Sequence, residues 1–237
     1  MSRVKKKISK PGLILALDTG DLRRVRYFVS QLGPYVKMFK VGSQLFISRG
    51  PEVVRFIHRS GRDVFLDLKL FDIPNTVANA VREAVRHRVK MLTLHIAGGS
   101  QMLEKAALAA RDESRRLGCR RPLLIGVTVL TSSKASGRAV LSMGRMGLAC
   151  GLDGLVCSVR EAALLRRSIK NDFIIVTPGI RPPGSAADDQ KRAAGVRDAV
   201  ISGSNFLVIG RPILEADDPV FTARKILKEM DSQRLQS

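Results

Sequence analysis

The chain has no tryptophan, two tyrosines, three histidines and three cysteines in 237 residues, and acidic residues number only 21 against 41 basic ones. Each shortage excludes something. His58, His87 and His95 make no H-x-x-x-H or similar pattern, and Cys119, Cys150 and Cys157 make no C-x-x-C pair, so the spacings of a zinc centre are missing. The cysteines are most simply reduced, mostly buried thiols. No apolar run approaches the ~18 residues that cross a bilayer, which predicts no membrane partner. The N-terminus carries charge without a signal-like apolar stretch, since the run 13–17 is short and ends at Asp18, so a cytoplasmic protein is expected.

The scarcity of acid leaves a net charge of +20, which raises the question of nucleic acid. The basic residues are scattered over helical stretches, as at Arg82, Arg86 and Arg88 or Arg111, Arg115 and Arg116, and the densest run is Lys5-Lys6-Lys7. No aromatic residues interleave them. The expectation is a solvated basic surface with incidental polyanion binding and no specific nucleic-acid partner.

What is present is a large core and a repeating pattern. Hydrophobic residues make up 45% of the chain, and the length suits one α/β unit, because such barrels run to roughly 250 residues. Short apolar, β-branched runs recur at 13–17, 36–41, 64–68, 91–96, 123–129, 154–157, 173–177 and 206–209. Helical periodicity follows most of them, at 22–32, 51–60, 77–88, 102–117, 159–169 and 218–230. Gly33, Gly61 and Gly118 stand where C-terminal caps belong. Eight βα units predict a (β/α)8 TIM barrel, a single domain over residues 11–237 behind a flexible basic tail of residues 1–10. The helix after the fifth strand, between Ser133 and Cys150, and the one after the seventh are weakly patterned.

A barrel places its site at the carboxyl ends of its strands. Those ends carry Asp18, Lys40, Asp67 and Lys69, His95, Thr128 and Thr131, Ser158, the run Thr177-Pro178-Gly179-Ile180-Arg181, and Gly210-Arg211-Pro212. Alternation through 64–69 sends Asp67 and Lys69 to one face, and Pro74 ends the strand. Lys40, Asp67, Lys69 and Asp72 alternate in sign, so that partly buried charges satisfy one another. A lysine between carboxylates is held as an ammonium, a general acid rather than a Schiff-base nucleophile. Arg181 and Arg211, each near a glycine, and Pro212 at a helix start fit a phosphate site. Asp18 reads equally as a helix N-cap or a contact to a substrate hydroxyl, and His95 as a packed strand-end residue or a catalytic one.

These motifs, in this order, resemble the orotidine 5'-phosphate decarboxylase family: Leu15-Ala16-Leu17-Asp18, Phe39-Lys40-Val41-Gly42, Phe65 through Pro74, Leu130-Thr131-Ser132, Thr177 through Arg181, and Val208 through Ile213. The resemblance covers about 13–230. It implies cofactor-independent, metal-free decarboxylation of orotidine 5'-phosphate (OMP) to UMP in de novo pyrimidine biosynthesis, by a homodimer. Lys69 would protonate C6, Asp67 would lie by the substrate carboxylate, Lys40 near the ribose and the charge array, and Asp72 would cross into the partner's site. Asp18 would bind ribose, Thr131 and Ser132 the pyrimidine, and Arg181, Gln190, Gly210 and Arg211 the phosphate, with Thr76 and Pro178 also among the substrate-binding residues. The segment between Ser132 and Gly151 is shorter than the family usually has, which puts the lid and the fifth helix in question. Two rivals stand beside this reading. One is a sister enzyme of the same barrel group, Mg2+-dependent and acting on sugar phosphates; the other is a basic nucleic-acid-binding protein on an inactive barrel.

Overall fold

A strand covered on both faces has no solvent side to mark with polar residues, so its sequence reads as a nearly continuous apolar run, and parallel strands flanked by helices are buried in this way. In the computed structural model, which describes residues 11–129, 136–181 and 194–232, the runs form β1 Gly12–Ala16, β2 Met38–Gly42, β3 Asp63–Leu70, β4 Met91–His95, β5 Leu123–Val127, β6 Gly154–Val156, β7 Ile174–Thr177 and β8 Phe206–Ile209. They pair in parallel and in chain order, and β8 returns to β1, giving a closed barrel. The basic tail 1–10, Leu130, Thr131, Ser132 and Gln190 lie outside the described residues.

The helices that cover the barrel are α1 Leu22–Leu32, α2 Ser43–Arg49, α3 Pro51–Arg59, α4 Pro74–Arg86, α5 Gly99–Arg116 and α6 Gly137–Ala149. They continue with α7 Val159–Ser168, α8 Val196–Ile201, α9 Arg211–Leu214 and α10 Pro219–Ser232. Outward strand residues such as Leu15, Phe39, Leu92 and Leu124 pack against these helices. Inward residues, including Ile14, Met38, Phe65, Met91, Ile125, Val176 and Val208, fill the barrel below a pocket at the carboxyl ends of the strands.

Several elements differ from the sequence reading. The fifth helix, placed in question by its weak pattern and the shortness of its segment, forms over 13 residues: Ser136 caps α6 by accepting the Ala139 N–H at 3.2 Å. Gly144 and Gly147 are buried on it, and a Cβ at Gly147 would lie 2.9 Å from Ile96 Cδ1. Bare backbone meets the barrel where an apolar stripe is sought, which hides the periodicity. Pro74 opens α4 three residues earlier than expected, its ring suiting the first turn. Gly61 and Gly118 have left-handed φ values of 72° and 55°, whereas Gly33 stays right-handed at −52°. The largest departure is in β3, which pairs Leu66 with Leu92 and then Leu70 with Leu94. Three residues of β3, 67–69, thus stand opposite one on β4, and Lys69 has a left-handed φ of 51°.

The opposite rim of the barrel is tied by ion pairs. Glu113 on α5 is 5% exposed and receives Arg116 Nη2 at 2.6 Å and Arg86 Nε, from α4, at 2.8 Å. The hydrogen bonds from Arg116 and then Arg86 lower its carboxyl from an ordinary 4.5 to about 2. Because the folded value lies below the unfolded one, this contribution to stability is complete above pH 4.5 and is lost as pH falls toward 2. Glu113→Gln is therefore expected to unfold at lower urea than the wild type at neutral pH, with the gap closing steadily from pH 4.5 down to 2. A gap that stays constant across that window in urea melts would contradict the assignment.

Candidate active site

Closure of the barrel gathers the strand ends around a pocket of about 230 Å3. Its floor is apolar, from Phe65, Val156, Val176 and Val208, and its walls are charged. On one side, side chains from β1, β2 and β3 form a row of alternating sign. Lys40 Nζ donates to Asp18 Oδ1 at 2.8 Å and lies 3.7 Å from Asp67 Oδ2, and Lys69 Nζ donates to the same Asp67 Oδ2 at 2.9 Å. Asp67 and Lys40 each expose 12% of their side chains, so the row is desolvated at its middle and open at its ends. The half-exposed Asp18 carboxylate and the desolvated Asp67 carboxylate are separated by the Lys40 ammonium. Gly42 leaves room for this, since a Cβ there would stand 3.1 Å from Lys40 Nζ.

Asp67 and Lys69 share the site as the sequence predicts, but not through plain alternation. The irregular pairing of β3 and the left-handed backbone at Lys69 aim the ammonium at Asp67. Sequence reasoning missed Thr93 altogether. It is fully buried on β4, accepts the Lys69 backbone N–H at 2.9 Å, and donates to Asp67 Oδ1 at 3.0 Å. A single threonine in the run Met91-Leu92-Thr93-Leu94-His95 reads as core, and only the register of β3 against β4 identifies it.

The other wall comes from β7 and β8. Pro178, Gly179, Ile180, Arg181, Gly210, Arg211 and Pro212 all line the pocket. Gly179 turns the chain at a φ of 76°, which an L side chain rarely adopts. Ile180 then pairs with Ala194, and the Arg181 N–H donates to Ala194 O at 2.9 Å. Gly210 caps the short α9, and a Cβ there would lie 3.4 Å from Asp18 Oδ2, so the first and last strands approach each other through a glycine. Of the two readings open for Asp18, the helix cap falls away: Asp21 caps α1, accepting the Arg23 N–H at 2.8 Å.

Other members of the expected polar ring face elsewhere. Thr177 is buried and pairs with the Ser204 hydroxyl at 2.7 Å, because inward-facing Val176 leaves the next position outward. Thr128 donates to Val156 O at 3.3 Å, and Ser158 closes a capping box with Glu161 at the start of α7. His95 lies with its ring tilted against Phe71, centroids 5.8 Å apart; burial, and then the Lys69 ammonium, lower its pKa from the ordinary 6.5. Thr76 is exposed on α4 and outside the pocket of its own chain. Asp72 is likewise exposed, its Oδ1 accepting the Ile73 N–H at 2.6 Å, and the ion pairs of its own chain's charge row form without it. Among the described residues no three His, Cys, Asp or Glu side chains gather as a metal-binding cluster.

An ammonium in contact with a buried carboxylate, with two arginines lining the same small pocket at the carboxyl end of a parallel barrel, defines a (β/α)8-barrel protein of the enzyme class. The comparisons with known proteins are specific. The profile of the orotidine 5'-phosphate decarboxylase / HUMPS family matches residues 11–226. Among relatives, the orotidine 5'-phosphate decarboxylase of Opitutus terrae is 46% identical over 231 residues, covering 93% of this chain and 98% of that protein. The one from Moorella thermoacetica is 43% identical over 235 residues, 94% of this chain and 93% of that protein. The crystal structure of orotidine 5'-phosphate decarboxylase from Lactobacillus acidophilus superposes with a TM-score of 0.82 at 34% identity, covering 93% of this chain and 99% of that one. The chain belongs to the orotidine 5'-phosphate decarboxylase / HUMPS family.

Proposed function

We propose that the chain decarboxylates OMP to UMP without metal or organic cofactor, with Lys69 as the proton donor. The observation that carries this reading is the Lys69 ammonium, 2.9 Å from Asp67 Oδ2 and held over an apolar floor that Arg181 and Arg211 share. The C6–carboxylate bond breaks, its electron pair stays on C6, and a proton from Lys69 Nζ closes that valence. No carbonyl is placed to delocalise the pair, so a fixed ammonium beside C6 stabilises the charge as it develops. Asp67 lies by the departing carboxylate, and Lys40 and Asp18 hold the ribose. Arg181, Gly210 and Arg211 hold the phosphate, together with Gln190; Thr131 and Ser132 bound the pyrimidine, and Pro178 is a further substrate-binding residue. Binding of the remote phosphate is then used mainly in the transition state.

The decisive assay follows the ultraviolet absorbance of OMP with purified protein. Conversion to UMP at an unchanged rate in EDTA is expected, because lysines already neutralise the carboxylates of the row. Activity lost in EDTA and restored by Mg2+ would move the chain to the sister sugar-phosphate enzymes.

Lys69→Ala is expected to lower kcat far more than it weakens UMP binding, since its ammonium acts on charge that appears only during reaction. Arg211→Ala should instead raise KM mostly. Steady-state kinetics showing the same kcat and KM changes in both variants would contradict this division of labour.

The working unit is a homodimer in which Asp72, with Thr76 on the same segment, completes the partner's site. Exposed Phe71 and Ile73, at 62% and 67%, flank Asp72 and support burial of this segment against a second copy. Lys69→Ala and Asp72→Ala homodimers should each be nearly inactive. Refolded together in equal amounts, half of the dimers are mixed and hold one intact site, so activity should return to roughly a quarter of wild type under two-fold symmetry. No recovery, with subunit exchange verified by native mass spectrometry, would show that Asp72 does not act across an interface.

A further inference from the structure

The register of β3 against β4 has a local cost. Between the pairs Leu66–Leu92 and Leu70–Leu94, three residues of β3 lie beside one of β4, so the regular ladder is interrupted where Asp67, Leu68 and Lys69 sit. Backbone groups there lose their usual partners, and a buried N–H without an acceptor is destabilising. Thr93 stands at this gap. It lies two residues after the inward-facing Met91, hence on the same inner face, and is fully buried.

A hydroxyl has one proton to give and two lone pairs. Lys69 N–H occupies one lone pair at 2.9 Å, and the ionised carboxylate of Asp67 can only accept, so the single proton of Thr93 is committed to Asp67 Oδ1 at 3.0 Å. This leaves Asp67 Oδ2 turned to Lys69 at 2.9 Å and Lys40 at 3.7 Å. One side chain therefore fixes the carboxylate orientation and the backbone from which the ammonium projects.

We propose that Thr93 is a positioning residue for the decarboxylation, its hydroxyl setting the relative placement of Asp67 and Lys69 without touching substrate. This rests on the function proposed above. The role belongs to the hydroxyl and not to the volume of the side chain, and it acts on the reacting geometry, not on affinity. Thr93→Val has nearly the same shape and leaves both hydrogen bonds unmade. Thr93→Ser keeps the hydroxyl and loses only a methyl.

The test is steady-state turnover of OMP by wild type, Thr93→Val and Thr93→Ser, with melting temperatures measured alongside. Thr93→Val is expected to lower kcat by about 10- to 100-fold with KM within about threefold, as for a small misplacement of reacting groups. Thr93→Ser is expected to stay within about threefold of wild type in kcat. Should Thr93→Val not fold, Thr93→Ala takes its place, with the same expected loss. A hydroxyl-free variant within about twofold of wild-type kcat overturns the proposal. So does a Thr93→Ser enzyme as impaired as Thr93→Val, which would assign the effect to packing, or a rise in KM alone, which would assign it to binding. Wild-type protein inactive on OMP overturns the function first, and the role of Thr93 with it.

Discussion

Asp67 keeps 12% of its side chain in contact with solvent, and a carboxylate taken that far from water destabilises a fold by several kcal/mol unless donors and cations meet it. Much of the open end of the barrel follows from that requirement. The partners must come from the neighbouring strands: Lys40 from β2, Thr93 from β4, and Lys69 from β3 itself. Lys69 reaches back only because the strand departs from its ladder and takes a left-handed turn, a conformation that disfavours an ordinary residue on the order of 1 kcal/mol. The strain is offset by the same hydrogen bonds that satisfy Asp67, so the carboxylate and the irregular strand depend on each other.

This arrangement also prepares a site for chemistry. An ammonium that had to be drawn from water during reaction would lose much of its electrostatic effect to reorganisation; one already locked between partners does not. The apolar floor of Phe65, Val156, Val176 and Val208 strengthens the field of those charges by excluding polarisable solvent. The barrel supplies such a floor at no extra expense, because its interior is packed with side chains up to the level of the pocket.

Much of this was legible in the sequence, for identifiable reasons. Apolar runs buried on both faces announce parallel strands, and all eight stand within three residues of where the pattern put them. The charged residues at the strand ends were legible too, since Asp18, Lys40, Asp67, Lys69, Arg181 and Arg211 do line one pocket. What periodicity cannot carry is register. Alternation gave the right partnership for Asp67 and Lys69 through the wrong geometry, and it gave no sign of Thr93, whose importance lies in what β3 does beside it. It also placed Thr128, Ser158 and Thr177 at the ring although they turn to Val156, Glu161 and Ser204. Gly144 and Gly147 show the complementary failure, because a helix that packs through bare backbone has no stripe to detect.

Charge accounting joins the two walls of the pocket under the proposed function. Asp18 and Asp67 against Lys40 and Lys69 sum to zero, and Arg181 and Arg211 line the opposite wall. A phosphate monoester carries close to two negative charges at neutral pH, so it fits the second wall and leaves the first unchanged. In that reading the substrate carboxylate enters a row already neutral, beside Asp67. A partner's Asp72 would make that row net negative and deepen the conflict. Departure of the carboxylate as neutral CO2 relieves it, while the electron pair left on C6 faces Lys69 rather than Asp67. The same fixed row is thus poorly matched to the bound carboxylate and well matched to the carbanion, which is the difference in binding that lowers a barrier.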